Sequence, residues 1–249
     1  MNKTLKIEIG IFMYKFIIGL LLFLCNSMLY AIDTFPPLFT AEYTLYAKGF
    51  PMGEGTRSLK MRSDGAFIFE SLGETTGLVS LFKKVHLEER SVFIKIDGKI
   101  RPLEYTYRQT GYKPRLNTIE FDWMKQVAIN TFKNQTQEIS LEEGTLDKLL
   151  YQVVLMEELK QGKRELEYKV VWKGKIKIYK PTFLGEENVD TGMGLLKTLK
   201  YERYSTNQKR HTTLWCAPSL HYLPVQVEHV EPDGDVFSMV LRSARGFSK

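Results

Sequence analysis

Residues 214–230 read LWCAPSLHYLPVQVEHV, and this stretch decides the fold. Leu214 and Trp215 end one apolar ribbon, and a second runs from Tyr222 to Val230. Ala217, Pro218 and Ser219 lie between them. Proline fixes φ and lacks an N–H, so the chain turns there instead of extending. The pattern predicts an antiparallel hairpin near the end of a domain, with the upstream strands paired around it.

Working outward, the same two-residue period recurs. Tyr43 and Leu45 share one face, while Glu42 and Thr44 share the other. Gly49, Pro51, Gly53 and Gly55 predict a turn. Asp64-Gly65, Asp97-Gly98 and Asp233-Gly234 are tight hairpin signals, because these residues tolerate positive φ. Phe67 and Phe69, then residues 85–96 and 100–109, read as strands. Ile119, Phe121 and Trp123 alternate with Glu120 and Asp122, and residues 127–132 answer them. Leu166, Tyr168, Val170 and Trp172 alternate with Glu165, Glu167 and Lys169. Ile176 and Ile178 follow, and residues 181–194 read as irregular. Residues 195–204 pair with 211–216, and 236–241 form a last strand. GLVSLF, at residues 77–82, is a helical turn or a loop on the rim.

The period changes once. Leu146, Leu149, Leu150, Val153, Met156 and Leu159 recur every three or four residues, which predicts a helix over residues 146–161. Thr145 is placed as its cap, Asp147 in its first turn and Gly162 at its end. Lys148, Gln152 and Glu158 are expected to face water. The fold class is therefore mainly β: a curved antiparallel sheet or open β-barrel of about a dozen strands, with one amphipathic helix packed on the concave side.

Residues 1–31 have the layout of a signal peptide, with Lys15 before an apolar run at 16–24 and Ala31 at the end. The run is shorter than the ~20 residues of a membrane helix. Met13 opens a complete leader by itself. Leu24 is too large to precede a lipidated cysteine, so Cys25 is not read as a lipid attachment site. Residues 32–249 form a single β-barrel-like domain, exported to the periplasm or beyond and not integral to the membrane. Removing the leader takes away three lysines and one glutamate, so the net charge falls from +6 to +4. The remaining charges are scattered, as on an ordinary solvated surface, and do not suggest a nucleic-acid partner. Cys216 is then the single cysteine, so no internal disulfide forms.

Few residues suggest chemistry. His211, Cys216, His221 and His229 lie close in sequence. However, His211 and Cys216 are an odd number apart on a strand and face opposite ways, so no metal site is expected. Cys216 with His221 lacks an orienting third group, and Cys216 beside Trp215 reads as an apolar filler. No phosphate loop or hydrolase motif occurs, no cofactor is implied, and an enzyme is not expected. The aromatics are more suggestive. Tyr43, Phe121, Trp123, Tyr168, Trp172 and Trp215 either fill the core or, with Leu149 and Val153 of the helix, line an apolar ligand pocket.

Three segments together resemble a known family: TAEYTLYAKGFPMGEG (40–55), GTLDKLLYQVVLMEELKQGKRELEYKV (144–170) and the LW…P…YLPVQVE hairpin. The chain is similar to the bacterial "domain of unknown function 3108" family of secreted envelope proteins over about residues 38–243. The resemblance implies a curved sheet shaped like the periplasmic Lol-type lipoprotein carriers, whose half-open barrel holds acyl chains under a helical lid. That family has no assigned site, so no residue role is carried over. The expected function is an envelope protein binding or carrying a lipid or acylated molecule in an apolar cavity. The alternative is an envelope interaction or scaffold protein with a filled core and a protein partner.

Overall fold

The computed structural model describes residues 35–82, 84–205 and 209–247. The leader read at residues 1–31 lies outside them, and every described element falls in the unit Thr34–Lys249.

Eight strands come first: β1 (Phe39–Ala47), β2 (Phe50–Met61), β3 (Phe67–Thr75), β4 (Val85–Ile96), β5 (Lys99–Gly111), β6 (Arg115–Asp122), β7 (Val127–Phe132) and β8 (Gln135–Ser140). A short helix, Gly77–Phe82, joins β3 to β4. An insert follows, with β9 (Thr145–Asp147), a central helix (Tyr151–Lys160), β10 (Tyr168–Trp172) and β11 (Lys175–Tyr179). Five strands close the chain: β12 (Thr182–Thr191), β13 (Gly194–Tyr204), β14 (His211–Ala217), β15 (Leu223–Val230) and β16 (Val236–Arg245).

Each run is an antiparallel meander, and the two runs meet where β16 pairs with β1. The result is one 13-stranded sheet with β8 and β12 at its edges, which do not pair with each other. This is the open, mainly β architecture read from the sequence. The opening hairpin is present as β14 and β15, joined by a single 3₁₀ turn, Pro218–Leu220, with His221 and Tyr222 at positive φ.

A curved sheet has to bury its concave face, and here the insert does so. From the insert, Gln152 accepts from Arg57 on β2 at 2.8 Å, and Asp147 accepts from Ser91 on β4 at 2.5 Å. Lys95 on β4 donates to Glu157 at 2.7 Å. Trp172 meets the rings of Tyr105 and Tyr107 on β5, while Arg203 on β13 reaches Tyr151 and Tyr179. Partners on β2, β4, β5 and β13 thus surround one insert.

The central helix is shorter than the periodicity predicts. Residues 145–147 are extended and pair in parallel with β10, so the helix starts later. Asp147, not Thr145, caps the turn at residues 148–150 that leads into the helix. Its Oδ1 accepts from the N–H groups of Leu149 and Leu150, both at 2.8 Å, satisfying donors that a helix start leaves open. The far end stops as expected at Gly162, which has φ +80°. Gly162 N–H donates to Leu159 O and Lys163 N–H to Glu158 O, the paired bonds of a glycine-terminated helix. Burial extends beyond the apolar stripe. Gln152 is buried against Arg57 instead of facing water, Glu157 is buried against Lys95, and Lys148 and Glu158 are half-buried. Enclosure by both the sheet and the β9–β11 layer accounts for this.

Three other segments differ from the sequence reading. Gly53 and Gly55 lie inside β2, not in a turn, and Leu45 rests on the bare backbone of Gly55 and Gly73. Residues 182–191 are a strand, not an irregular segment, and residues 135–140, to which the sequence reading assigned no element, form a strand as well. Both are edge strands with few buried side chains, so they lack the apolar alternation that marks a strand.

Burial raises the Asp147 carboxyl to about 6, with Glu89 adding to the effect and the bonds from Ser91, Leu150 and Leu149 opposing it. The folded state therefore holds a proton that the unfolded chain releases near pH 4, so stability falls as pH rises from about 4 to 6 and is level above. Asp147→Asn is expected to remove that fall while keeping the cap. Asp147→Ala is expected to cost about 1 kcal/mol. Urea midpoints measured between pH 4 and 8 check both.

Candidate functional site

Strand register shows what lines the concave face towards the end that carries the β1–β2 and β5–β6 turns. Arg203 stands opposite Thr212, Thr212 opposite His229, His229 opposite Phe237, and Phe237 opposite Ala47. The next row runs Tyr201, Leu214, Val227, Met239, Leu45 and Gly53. Deeper in the sheet these rows are sealed by the insert, with Tyr201 and Leu214 buried. Nearer the rim the seal ends. Leu45, Leu87, Tyr107, Val227 and Met239 are half-buried, and Phe237 is exposed. The inner face is thus an apolar recess open at the rim.

The insert turns a charged side towards this recess. On β10 and β11, Trp172 pairs with Lys175, Val170 with Lys177, and Tyr168 with Tyr179, so these six share one face. Ile176 and Ile178 take the other face. Lys148 Nζ lies 4.8 Å from the Trp172 ring centre and 5.2 Å from that of Tyr107. Lys173 Nζ lies 5.1 Å from Trp172 and 5.0 Å from Phe132. Arg203 stacks on Tyr179 at 3.9 Å, and its Nε donates to Tyr151 Oη at 3.4 Å. Aromatic faces hold cations by their negative potential without neutralising them.

Carboxylates are scarce among these cations. Lys148 bonds Glu89 at 3.0 Å, and Glu89 also accepts from Tyr105 at 2.8 Å. Arg210 at the edge pairs with Glu231. Among the described residues, Lys173, Lys177 and Arg203 form no ion pair with a carboxylate. Burial depresses the Lys173 ammonium, and Arg115, Lys177, Lys148 and Arg210 depress it further. Burial likewise depresses Lys177, with Arg203, Arg210, Lys148 and Lys175 adding to it. Burial also lowers His229, reinforced by Arg203, Lys148 and Arg210 and opposed by Glu231. Half-buried positive charge without counter-charge is a standing cost, and it attracts an anion.

The residues expected to line a pocket are not brought together in one place. Tyr43 is wholly buried, donates to Pro224 O at 3.0 Å and lies under the Arg57 guanidinium. Leu149 and Val153 are packed within the helix core. Phe121 and Trp123 stack on each other and line a depression of about 630 Å³ with Ile94, Leu103 and Met124. Trp123 Nε1 donates to Pro102 O. Tyr168 is buried and borders a cleft of about 400 Å³ rich in glutamate, including Glu143, Glu157 and Glu167. Trp215 lies on the opposite face from Leu214. Its Nε1 donates to Glu187 at 3.0 Å, and Lys200 sits over its ring. Of the eight, Trp172 joins the recess, and Tyr168 shares its face of the insert but lies buried further along the strand.

The recess residues that the sequence reading missed are Lys148, Lys173, Lys177 and Arg203, with Leu45, Phe237 and Met239. One signal was available: Lys173, Lys175 and Lys177 alternate with Gly174 and Ile176, which places three cations on one side of a hairpin. Cys216 is fully buried, and burial pushes its thiol well up, so it stays protonated. Among the described residues, no helix is long and apolar enough to cross a membrane.

A family profile described as "Protein of unknown function (DUF3108)" matches residues 42–242. No curated protein matches the sequence. Among solved structures, a β-barrel-like protein of the domain of unknown function DUF1849 from Brucella abortus superposes with a TM-score of 0.54. It is 7% identical, and the match covers 86% of this chain and 99% of that one, a likeness of fold alone. MucB in complex with MucA aligns over 87% of this chain and 95% of that one at 9% identity. The Pseudomonas aeruginosa MucA/MucB complex aligns at 8% identity. The TM-score of 0.17 for both is too low to carry a structural argument.

Since Lys177 is held among like charges, Lys177→Gln is expected to raise the thermal midpoint, not lower it. The gain should shrink as salt screens the repulsion. Thermal unfolding at low and high ionic strength measures both effects.

Proposed function

The chain belongs to this family of proteins of unknown function, and from its geometry we propose that it is an exported envelope protein that binds an anionic amphiphile. The negative head meets Lys148, Lys177 and Arg203, and the apolar part lies over Leu45, Phe237 and Met239. The observation that carries this reading is a cluster of half-buried cations beside half-buried apolar side chains. Lys148 and Arg203 rest on aromatic rings, and among the described residues Lys177 and Arg203 have no carboxylate partner, while Glu89 is the one carboxylate bonded to Lys148. A lipid or acylated envelope molecule has that chemistry. The close packing of Leu149, Val153 and Met156 moves the ligand away from the underside of the helix and towards the rim. Export is supported by the leader-like layout of residues 1–31.

A protein partner in the envelope is the second reading. It is supported by the two edge strands, β8 and β12, whose outer ladders are free to accept another strand. Cross-linking at those edges would capture such a partner.

Binding of a fluorescent fatty-acid probe, followed by native mass spectrometry against an envelope lipid extract, tests the first reading. Lys177→Gln is expected to weaken binding roughly tenfold, the effect of losing one charge-assisted contact. Fold stability should be kept or raised, which separates a ligand contact from a structural one. An uncharged probe of equal length should be far less sensitive to the substitution. A protein that takes up neither probe and carries no lipid overturns the reading.

A further inference from the structure

The short helix Gly77–Phe82 has no buried residue, although it is almost wholly apolar. Leu78, Leu81 and Phe82, at i, i+3 and i+4, share one face of its turn. They are 77%, 76% and 90% exposed. Phe50, 75% exposed, stands at the neighbouring turn between β1 and β2. The two loops are tied together, since Thr76 N–H donates to Met52 O and Gly53 pairs with Thr75. On the other side Tyr112 N–H donates to Lys84 O, which fixes the β5–β6 turn beside the helix. Asn117 opposite Phe132 brings the β7–β8 turn to the same end.

The charges on these loops have one sign. Residues 77–84 read GLVSLFKK, 111–116 read GYKPRL and 131–136 read TFKNQT, with five lysines and arginines and no acid. Lys84, Lys113, Arg115 and Lys133 are exposed. Among the turns at this end acids occur only between β15 and β16, where Asp235 pairs with Lys48 at 2.6 Å and Glu231 with Arg210, while Glu74, on β3 before the helix, faces His86 at 3.8 Å. Protruding leucine and phenylalanine ringed by lysine is costly in water and complementary to a layer with an apolar interior and an anionic surface.

We propose that this rim docks on the surface of an anionic lipid bilayer, with Leu78, Leu81, Phe82 and Phe50 entering the interface and Lys84, Lys113 and Lys133 resting on the headgroups. Charges of one sign spread over several loops suit an extended surface better than a single binding groove. The inference stands on residues outside the recess, but it faces the mouth of that recess to the membrane, where an amphiphile leaves or enters the layer.

The test is co-sedimentation with vesicles of phosphatidylethanolamine and phosphatidylglycerol, compared with phosphatidylcholine alone. The protein is the chain begun at Ile32, which keeps the unit Thr34–Lys249 whole and removes the apolar leader. Association with the anionic vesicles that weakens with salt is expected. Leu78→Ser with Phe82→Ser should reduce it at least tenfold without moving the thermal midpoint, since these side chains touch no core. Lys113→Glu with Lys133→Glu should reduce it on anionic vesicles only. Lys177→Gln should leave it intact, so loss of probe binding and loss of docking are separate results. No vesicle association, association indifferent to the Leu78 and Phe82 changes, or rim cross-links to an envelope protein without vesicle binding would each overturn the proposal.

Discussion

A wide antiparallel sheet whose edges do not meet cannot stand with its inner face in water, and every other feature follows from how this chain covers that face. It uses its own residues. The β9–β11 layer and central helix enter from between the two edge strands. Asp147 fastens them by taking one proton donor from the wall and two from the start of the helix. An ionisable cap buried in that position is an unusual anchor, because the charge that strengthens capping is the form that burial penalises. The sheet and its filling are held together by a compromise between the two.

Filling is incomplete, and where it stops the chemistry changes. Below, tyrosine, leucine and methionine interlock at near-zero exposure. Above, the same strands continue with half-covered apolar side chains, where ammonium groups of the insert and the Arg203 guanidinium of the sheet are propped on rings. A core optimised only for stability would place apolar or acid-paired groups there. Retaining repelling cations at a margin between packed interior and solvent is the feature that most separates this molecule from a plain barrel-like scaffold.

Much of the architecture was legible in the chain. Alternation in Tyr43–Leu45, Ile119–Phe121 and Leu166–Trp172, together with the aspartate–glycine turns, reports a half-buried sheet directly. The helical period at Leu149–Leu159 marks the single long helix among the described residues. The illegible parts have common physical causes. Residues 182–191 are an edge strand with little to bury, so no pattern forms. Residues 145–147 carry helix-compatible side chains but are drawn into a parallel ladder with β10, a tertiary effect that local periodicity cannot report. The candidate site was hidden for a related reason. Leu45, Lys148, Lys177, Arg203 and Phe237 are far apart in sequence, and only the register of β1, β13 and β16 and the seating of the insert bring them to one mouth. The aromatics that drew attention in the sequence proved to be spread over both faces and both ends.

The seam between β1 and β16 has a consequence for how the molecule comes into being. Residues 40–47 pair with residues 237–245, so β1 lacks one of its two neighbours until β16 has been supplied. Each meander can form locally, but joining them requires closing a loop that spans almost the whole domain, the slowest kind of contact for a chain to find. A nascent or threading polypeptide therefore remains two unjoined half-sheets, and completion of the wall is timed by arrival of β16.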